Sequence, residues 1–350
     1  MMESSKIEQS ISDNIKTLGF VMTCFMVFYH VGAVVNPNEA NSQLSNDYMN
    51  QFFDNMVRLV MVHFFAVTGF LLFVNLDTHN YVNKIKRRIQ SLLIPYVVWQ
   101  IIALVIVSLK TRSLFCNLNG FIYFCFLFVR WPIDGPLWYV YAVFVLAVFS
   151  PCFLWVFKNR GISFLFFIGA LIVAGFFPGG NAGKGAAALG KIANWGYVPN
   201  LLYYFPAFFL GAYWGYTYNK EKDYSIHTFL GVMLVVSFFL NMIQPGILEL
   251  AAIVSVPFYG ITMIRVRSAF KNLKVYKLTF LMYALHSPLI MLCKSLYETA
   301  LWNLNLPTII VNIMLRVLVL GTVIGFAYLV YFIAKSISPK MLMILTGGRG

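Results

Sequence analysis

Residues Ile309–Ala334 read IIVNIMLRVLVLGTVIGFAYLVYFIA, and only Asn312, Arg316 and Thr322 in that run are neither apolar, aromatic nor glycine. A helix of this length crosses a hydrocarbon core of about 30 Å. Leu92–Leu109 and Leu137–Phe157 repeat the pattern. In lipid every backbone N–H and C=O must be satisfied within the protein, so a chain spans as helices or as a closed barrel. Barrel strands would be about half as long and would alternate polar with apolar; these runs do neither. Composition agrees: of 350 residues 60% are hydrophobic, 17% aromatic and 11% charged, too little polar surface for a water-soluble fold. The fold class is all-α and polytopic.

Spans read at roughly 15–36, 52–76, 89–109, 136–157, 162–178, 199–219, 226–243, 246–265, 276–297 and 308–334 make about ten transmembrane helices. The formal charge of +14 then becomes a topology signal and not a nucleic-acid footprint. Alternate loops carry eighteen Lys and Arg on one side, including Lys84, Lys86, Arg87 and Arg88, against five on the other: Lys110, Arg112, Arg130, Lys184 and Lys191. The positive-inside rule places both termini in the cytoplasm. Met1–Asp13 is polar and mixed in charge, so no cleaved signal is expected. The five cysteines show no metal-ligand spacing, and no metal site is expected.

No polar stretch is long enough to bury a second core, so 1–350 reads as a single transmembrane domain, with a helical core over 14–335 and a short cytoplasmic tail over 336–350. Cys116–Trp131 is apolar but short, and is either re-entrant or spanning. Pro178–Pro199 is rich in Gly and Ala and is either a connector or an external lid.

Ionisable groups inside a span are costly and are functional candidates by default. His30 stands in the last turns of the first span, His63 midway along the second and His286 within the ninth. Imidazole changes charge near neutral pH and can take a proton from a hydroxyl. The plainer reading of each is a neutral ring bonded to a neighbouring helix. Arg58 and Arg316 either serve a cavity or bond backbone carbonyls. Lys84, Lys86, Arg87 and Arg88 lead into the third span, where guanidinium groups suit a phosphorylated donor and equally suit plain anchoring. Trp138, Tyr139 and Tyr141, at the start of the fourth span, either line a cavity or form an interfacial belt.

Six pieces, in order, resemble membrane-bound acyltransferase family 3, whose members move acyl groups onto sugars of surface polysaccharides. They are Val27-Phe-Tyr-His30, Phe64-Phe-Ala-Val-Thr68-Gly-Phe, Lys86-Arg-Arg-Ile-Gln-Ser-Leu-Leu-Ile-Pro-Tyr96, Pro136-Leu-Trp-Tyr139, Phe208-Phe-Leu-Gly-Ala-Tyr213 and Tyr283-Ala-Leu-His286-Ser-Pro288, spread over roughly residues 12–335. The resemblance implies an integral membrane acyltransferase of the bacterial cytoplasmic (inner) membrane. It implies acyl-CoA as donor, with acetyl or succinyl as the group moved, and a hydroxyl of an exported polysaccharide or lipid-linked sugar as acceptor. His30 becomes the catalytic residue, Arg87, Arg88 and Lys86 bind the donor, and His286, Trp138, Tyr139, Tyr141, His63, Thr68 and Arg316 line the substrate cavity. Expected partners are the glycan acceptor, membrane lipid, and a second copy or the polysaccharide-synthesis machinery.

Two positions depart from the pattern. The arginine that relatives carry, with ten residues between it and the histidine, is Gly19 here, and Lys16 is the nearest cation on that face. Tyr141 and Ala142 replace an Arg-Asp pair. A polysaccharide or lipid-linked sugar flippase, and an inactive relative within a glycan-assembly complex, are the competing readings.

Overall fold

A computed structural model describes residues 9–35, 42–111, 130, 132–177, 196–218, 235–236, 238–240, 243 and 274–348. These are helical almost throughout: α1 (Gln9–Val31), α2 (Ser42–Phe73), α3 (Tyr81–Arg88), α4 (Ile94–Thr111), α5 (Trp138–Val148), α6 (Ser150–Phe157), α7 (Arg160–Gly175), α8 (Val198–Thr217), α9 (Thr279–Trp302), α10 (Thr308–Ile337) and α11 (Pro339–Thr346). Among the described residues, five helical segments are long and apolar enough to span, Ile11–Val31, Asp47–Phe73, Tyr81–Ile106, Val275–Trp302 and Thr308–Ile337. A sixth arises if Gly135–Val148 and Ser150–Phe157, bent by 57°, count as one.

That is fewer than the ten expected from sequence. The expected spans 226–243 and 246–265 lie almost wholly outside the described residues, as do Cys116–Trp131 and most of Pro178–Pro199. The other two shortfalls have visible causes. The seventh helix holds only 16 residues. The eighth is long, but its tyrosines, prolines and Asn200 dilute its apolar character. It tolerates them because half of it is buried against other helices and not against lipid.

Small residues set the central seam. A Cβ at Gly69 of α2 would overlap the Phe208 carbonyl oxygen of α8, one at Gly211 would overlap the Ala66 carbonyl, and one at Gly215 the Phe70 carbonyl. Without side chains there, the two backbones approach closely, the contact that substitutes for hydrophobic drive inside lipid. Two of the six family-like pieces, around Gly69 and around Gly211, are therefore one packing surface.

Pro95 lacks the N–H that would reach the Ser91 carbonyl, and the chain runs from α3 to α4 through a π-helical turn at Ile89–Leu93. Gly347, at φ +64°, ends α11 against that same Ser91 carbonyl, where any Cβ would overlap it. On the far side, α9 and α10 pack side by side with α1 against both. Gly32, at φ +66°, closes α1, and Val34 beyond it exchanges two 2.9 Å hydrogen bonds with the Asn312 side chain of α10. The C-terminal end of α1, which carries His30, is thereby fixed to the bundle.

Candidate functional site

Two cavities enter the bundle from opposite ends. One, of about 520 Å³, is lined by Lys16, Gly19 and Thr23 of α1, by His63, Phe64 and Thr68 of α2, and by Arg88, Tyr139, Lys277 and Tyr283. Its cations gather at one end, so this is the basic end. The other, of about 340 Å³, is lined by Met26, Tyr29 and His30 of α1, by Asp54, Arg58 and Met61 of α2, and by Pro136, Trp138, Asn200 and Tyr204. The changeover falls between Thr23 and Met26, between Met61 and His63, and between Trp138 and Tyr139. At 1.5 Å of rise per residue the partition is about one helical turn thick. The Pro136-Leu-Trp-Tyr piece is thus the partition itself, with adjacent rings aimed into opposite cavities.

His30 keeps open surface toward the second cavity. Its Nδ1 lies 2.9 Å from the Met26 carbonyl and must donate to it, which leaves Nε2 with a free lone pair. The His286 ring stands edge-to-face at 4.8 Å between centroids. His286 is fully buried, its Nδ1 donates to the Tyr283 carbonyl at 2.7 Å, and its Nε2 has no hydrogen-bond partner. Two imidazoles sharing one tautomer therefore face each other, and either can accept a proton.

On the basic side of the partition, the Tyr139 hydroxyl donates to the Phe64 carbonyl at 2.9 Å and accepts from Thr68 Oγ1 at 2.6 Å. Buried His63 lines this chamber too. Arg88 borders both the chamber and an adjoining cleft of about 400 Å³ lined by Lys84, Arg87, Gln90, Ser91, Gly347 and Gly348. Residues 84, 87, 88 and 91 share one helical face. Lys84 also caps α2, donating to the Leu72 and Val74 carbonyls at 3.0 and 2.6 Å. Lys86 is exposed and is not among the residues lining that cleft.

Other candidates lie elsewhere. Tyr141, two positions from Tyr139 and so across the helix, stacks on Tyr96 at 5.4 Å and meets Tyr197 edge-on at 5.3 Å. Arg316 is 2% exposed; its guanidinium donates to the Phe28 carbonyl at 3.2 Å and to the Asn312 carbonyl at 3.0 Å, and lies 4.4 Å from the Phe53 ring centroid. It ties α10 to the end of α1. Gly19 opens into the first cavity, with nothing within 4 Å of a Cβ built there.

Two lining or neighbouring groups, Asp54 and Asp134, were not singled out from sequence, whereas Arg58 was. Asp54 and Arg58, one turn apart, put a carboxylate and a guanidinium into the His30 cavity. Asp134 lies just before Pro136, buried, with burial lifting its carboxyl to about 7 against the pull of a Ser287 hydrogen bond. Its signal in the sequence was a lone carboxylate among Trp131, Pro132, Ile133 and Pro136, in a chain with only 12 acidic residues.

A helical bundle with several segments long and apolar enough to span, enclosing a basic chamber and a cavity that holds His30, is that of an integral membrane protein. The family model described as an acyltransferase domain, that of acyltransferase family 3, matches residues 15–332, and the chain belongs to this family. Acyl transfer, in general terms, comes with that membership. No curated protein and no solved structure matches the chain significantly.

Proposed function

We propose that the protein moves a short acyl group, acetyl or succinyl, from acyl-CoA across the partition to a hydroxyl of an exported polysaccharide or lipid-linked sugar. The observation that carries this reading is the pair of cavities of opposite chemistry, separated by one helical turn. In this reading the basic end faces the cytoplasm, in keeping with the positive-inside rule, in a bacterial inner membrane. There Arg87, Arg88 and Lys84 meet the phosphates of the nucleotide in the cleft, guanidinium groups being suited to bidentate phosphate contacts. The pantetheine arm enters the 520 Å³ chamber, and its thioester reaches Thr68 and Tyr139. Lys86, exposed on the other face, adds only to the general field.

The acceptor occupies the cavity of His30, Trp138, Asp54 and Asn200. Once the acyl end of the donor passes the one-turn partition, His30 Nε2 takes the proton from the acceptor hydroxyl as its oxygen adds to the thioester carbonyl. The C–S bond then breaks, and the CoA thiolate leaves with the proton that His30 gives up. Proton transfer of this kind contributes about 10²- to 10⁴-fold in rate. His30→Ala should therefore abolish label transfer from labelled acetyl-CoA or succinyl-CoA in membranes that hold the full-length protein. Transfer above background that is equal in wild type and variant removes His30 from the chemistry. Two cavities closed off by one partition also suit alternating access, the flippase reading. That reading is favoured if loss of the protein keeps the glycan from the surface while its acylation is unchanged. An inactive relative in an assembly complex is instead indicated if losing the protein harms the glycan and His30→Ala does not.

A further inference from the structure

The 520 Å³ chamber and the 400 Å³ cleft share three lining residues among those described: Leu71 of α2, Arg88 at the end of α3, and Gly348 just beyond α11. The two cavities adjoin there, so these residues border the neck between them. Leu71 and Arg88 lie within the stretch that the family model matches, whereas Gly348 lies past its end at residue 332. In sequence the residues after 335 look like a tail, yet α11 folds back onto the bundle. Its Leu342, Leu345 and Thr346 are buried, and the indole N–H of buried Trp99 in α4 donates to the Leu345 carbonyl at 3.0 Å. Gly347 then packs on Ser91, three residues after Arg88 in the π-helical turn, so closely that a Cβ would overlap the Ser91 carbonyl. That contact also sets how near Gly348 stands to Arg88.

The two glycines meet different demands. One left-handed residue suffices to end a helix, and Gly347 at φ +64° is that residue. Gly348 repeats the conformation at φ +77°, but it is exposed and nothing lies within 4 Å of a Cβ built on it. Packing within the protein therefore gives no reason for bare backbone at 348. Glycine also lets a ligand approach the main chain closely. A neck made of one apolar side chain, one guanidinium and one bare backbone suits a slender chain of methylenes and amides that trails from a phosphate, with the phosphate end beside Arg88. The pantetheine arm of acyl-CoA has that form.

We infer that Gly348 is a specificity-determining residue of the donor passage: with Leu71 and Arg88 it forms the neck through which the pantetheine arm runs from cleft to chamber, and α11 is the clasp that holds it there. The inference rests on acyl-CoA entering from the basic end.

The test measures label transfer from labelled acetyl-CoA and succinyl-CoA, over a range of donor concentrations, in membranes with the full-length protein. Gly348→Ala, Gly348→Leu and Gly348→Trp share the strain of a side chain at φ +77° and differ in bulk. The donor kcat/KM should fall in that order, by about 10- to 100-fold at Trp. An equal fall in all three is strain alone, and no fall in any means an unobstructed arm; either overturns the inference. Gly348→Cys, in a background with the five native cysteines replaced by serine, gives a readout that needs no transfer and decides the matter if the Trp variant does not accumulate. A water-soluble maleimide should label that cysteine, and saturating desulfo-CoA, which has the arm but no thiol, should slow the labelling about tenfold. Labelling that desulfo-CoA leaves unchanged, while wild type transfers label, overturns the inference and leaves the donor reading in place. Wild type that transfers label from neither donor, or His30→Ala that transfers as well as wild type, overturns the reading on which it rests.

Discussion

Asp134→Asn should change stability with a sign opposite to that of an ordinary buried substitution. The folded carboxyl sits at about 7 against an ordinary value of 3.8. The folded state therefore binds more protons than the unfolded chain between those values, and the stability this group contributes is full below about pH 4 and is lost as pH rises through 7. Three pKa units at about 1.4 kcal/mol each set an upper bound of roughly 4 kcal/mol, of which about 2–3 kcal/mol should be lost between about pH 5 and pH 8. Asparagine does not ionise and can still accept from Ser287. The difference in unfolding free energy between Asp134→Asn and wild type, followed by thermal or denaturant unfolding of the purified protein in detergent, should therefore grow in favour of the variant as the pH is raised. A difference that stays constant with pH, or a variant less stable by the same amount throughout, would show that the carboxylate is not held against a burial cost.

Gly69→Ala should destabilise the bundle by about 1–3 kcal/mol, because its Cβ overlaps the Phe208 carbonyl and forces α2 from α8. Gly321→Ala, where nothing lies within 4 Å, should be neutral or stabilising by up to about 1 kcal/mol; equal unfolding temperatures for the two variants would refute the seam. Arg88→Gln removes a charged donor from both the chamber and the cleft beside it, and should raise the donor KM about 10- to 100-fold with turnover at saturation retained. A lowered turnover with unchanged KM would place Arg88 in the chemistry instead.

The fold class was legible because lipid leaves few options: runs such as Ile309–Ala334 have no other stable form there. Span number was less so, since a helix packed inside the bundle can carry prolines and tyrosines, as Val198–Thr217 does, and it then falls short of the hydropathy of the spanning segments despite its length. Among the candidate residues, helical geometry separates some that spacing could have separated. Tyr139 and Tyr141 are two positions apart and face different neighbours; Lys84, Arg87 and Arg88 share a face that Lys86 does not. His30 and Arg316 looked alike in sequence, each an ionisable group in an apolar run. They differ in their partners, which come from residues hundreds of positions away, as Phe28 does for Arg316. Asp134 was harder to read: it lies in a connection with no periodicity, and its burial comes from elements distant in sequence, such as α4, whose Gln100 accepts its N–H.

Gly19 marks where this chain leaves the family pattern, and its surroundings bear on how the donor is held. Eleven positions separate Gly19 from His30, three turns of nearly the same face and about 16 Å of rise. One face of α1 therefore serves both cavities. At the Gly19 level that face is empty, with open space where a Cβ would point. Lys16 does not fill it: its ammonium lies 3.5 Å from Asp13 and 5.5 Å from the Tyr276 ring centroid. Cations line the basic end, from Lys16, Arg88 and Lys277, while among the described lining residues the partition side offers hydroxyls, from Thr23, Thr68 and Tyr139, and the neutral-capable ring of His63. On the proposed reading, a donor in this chamber is gripped by its phosphates and left loose at its acyl end, so the discrimination between acyl groups would fall to the volume beside Gly19 and not to a charge there.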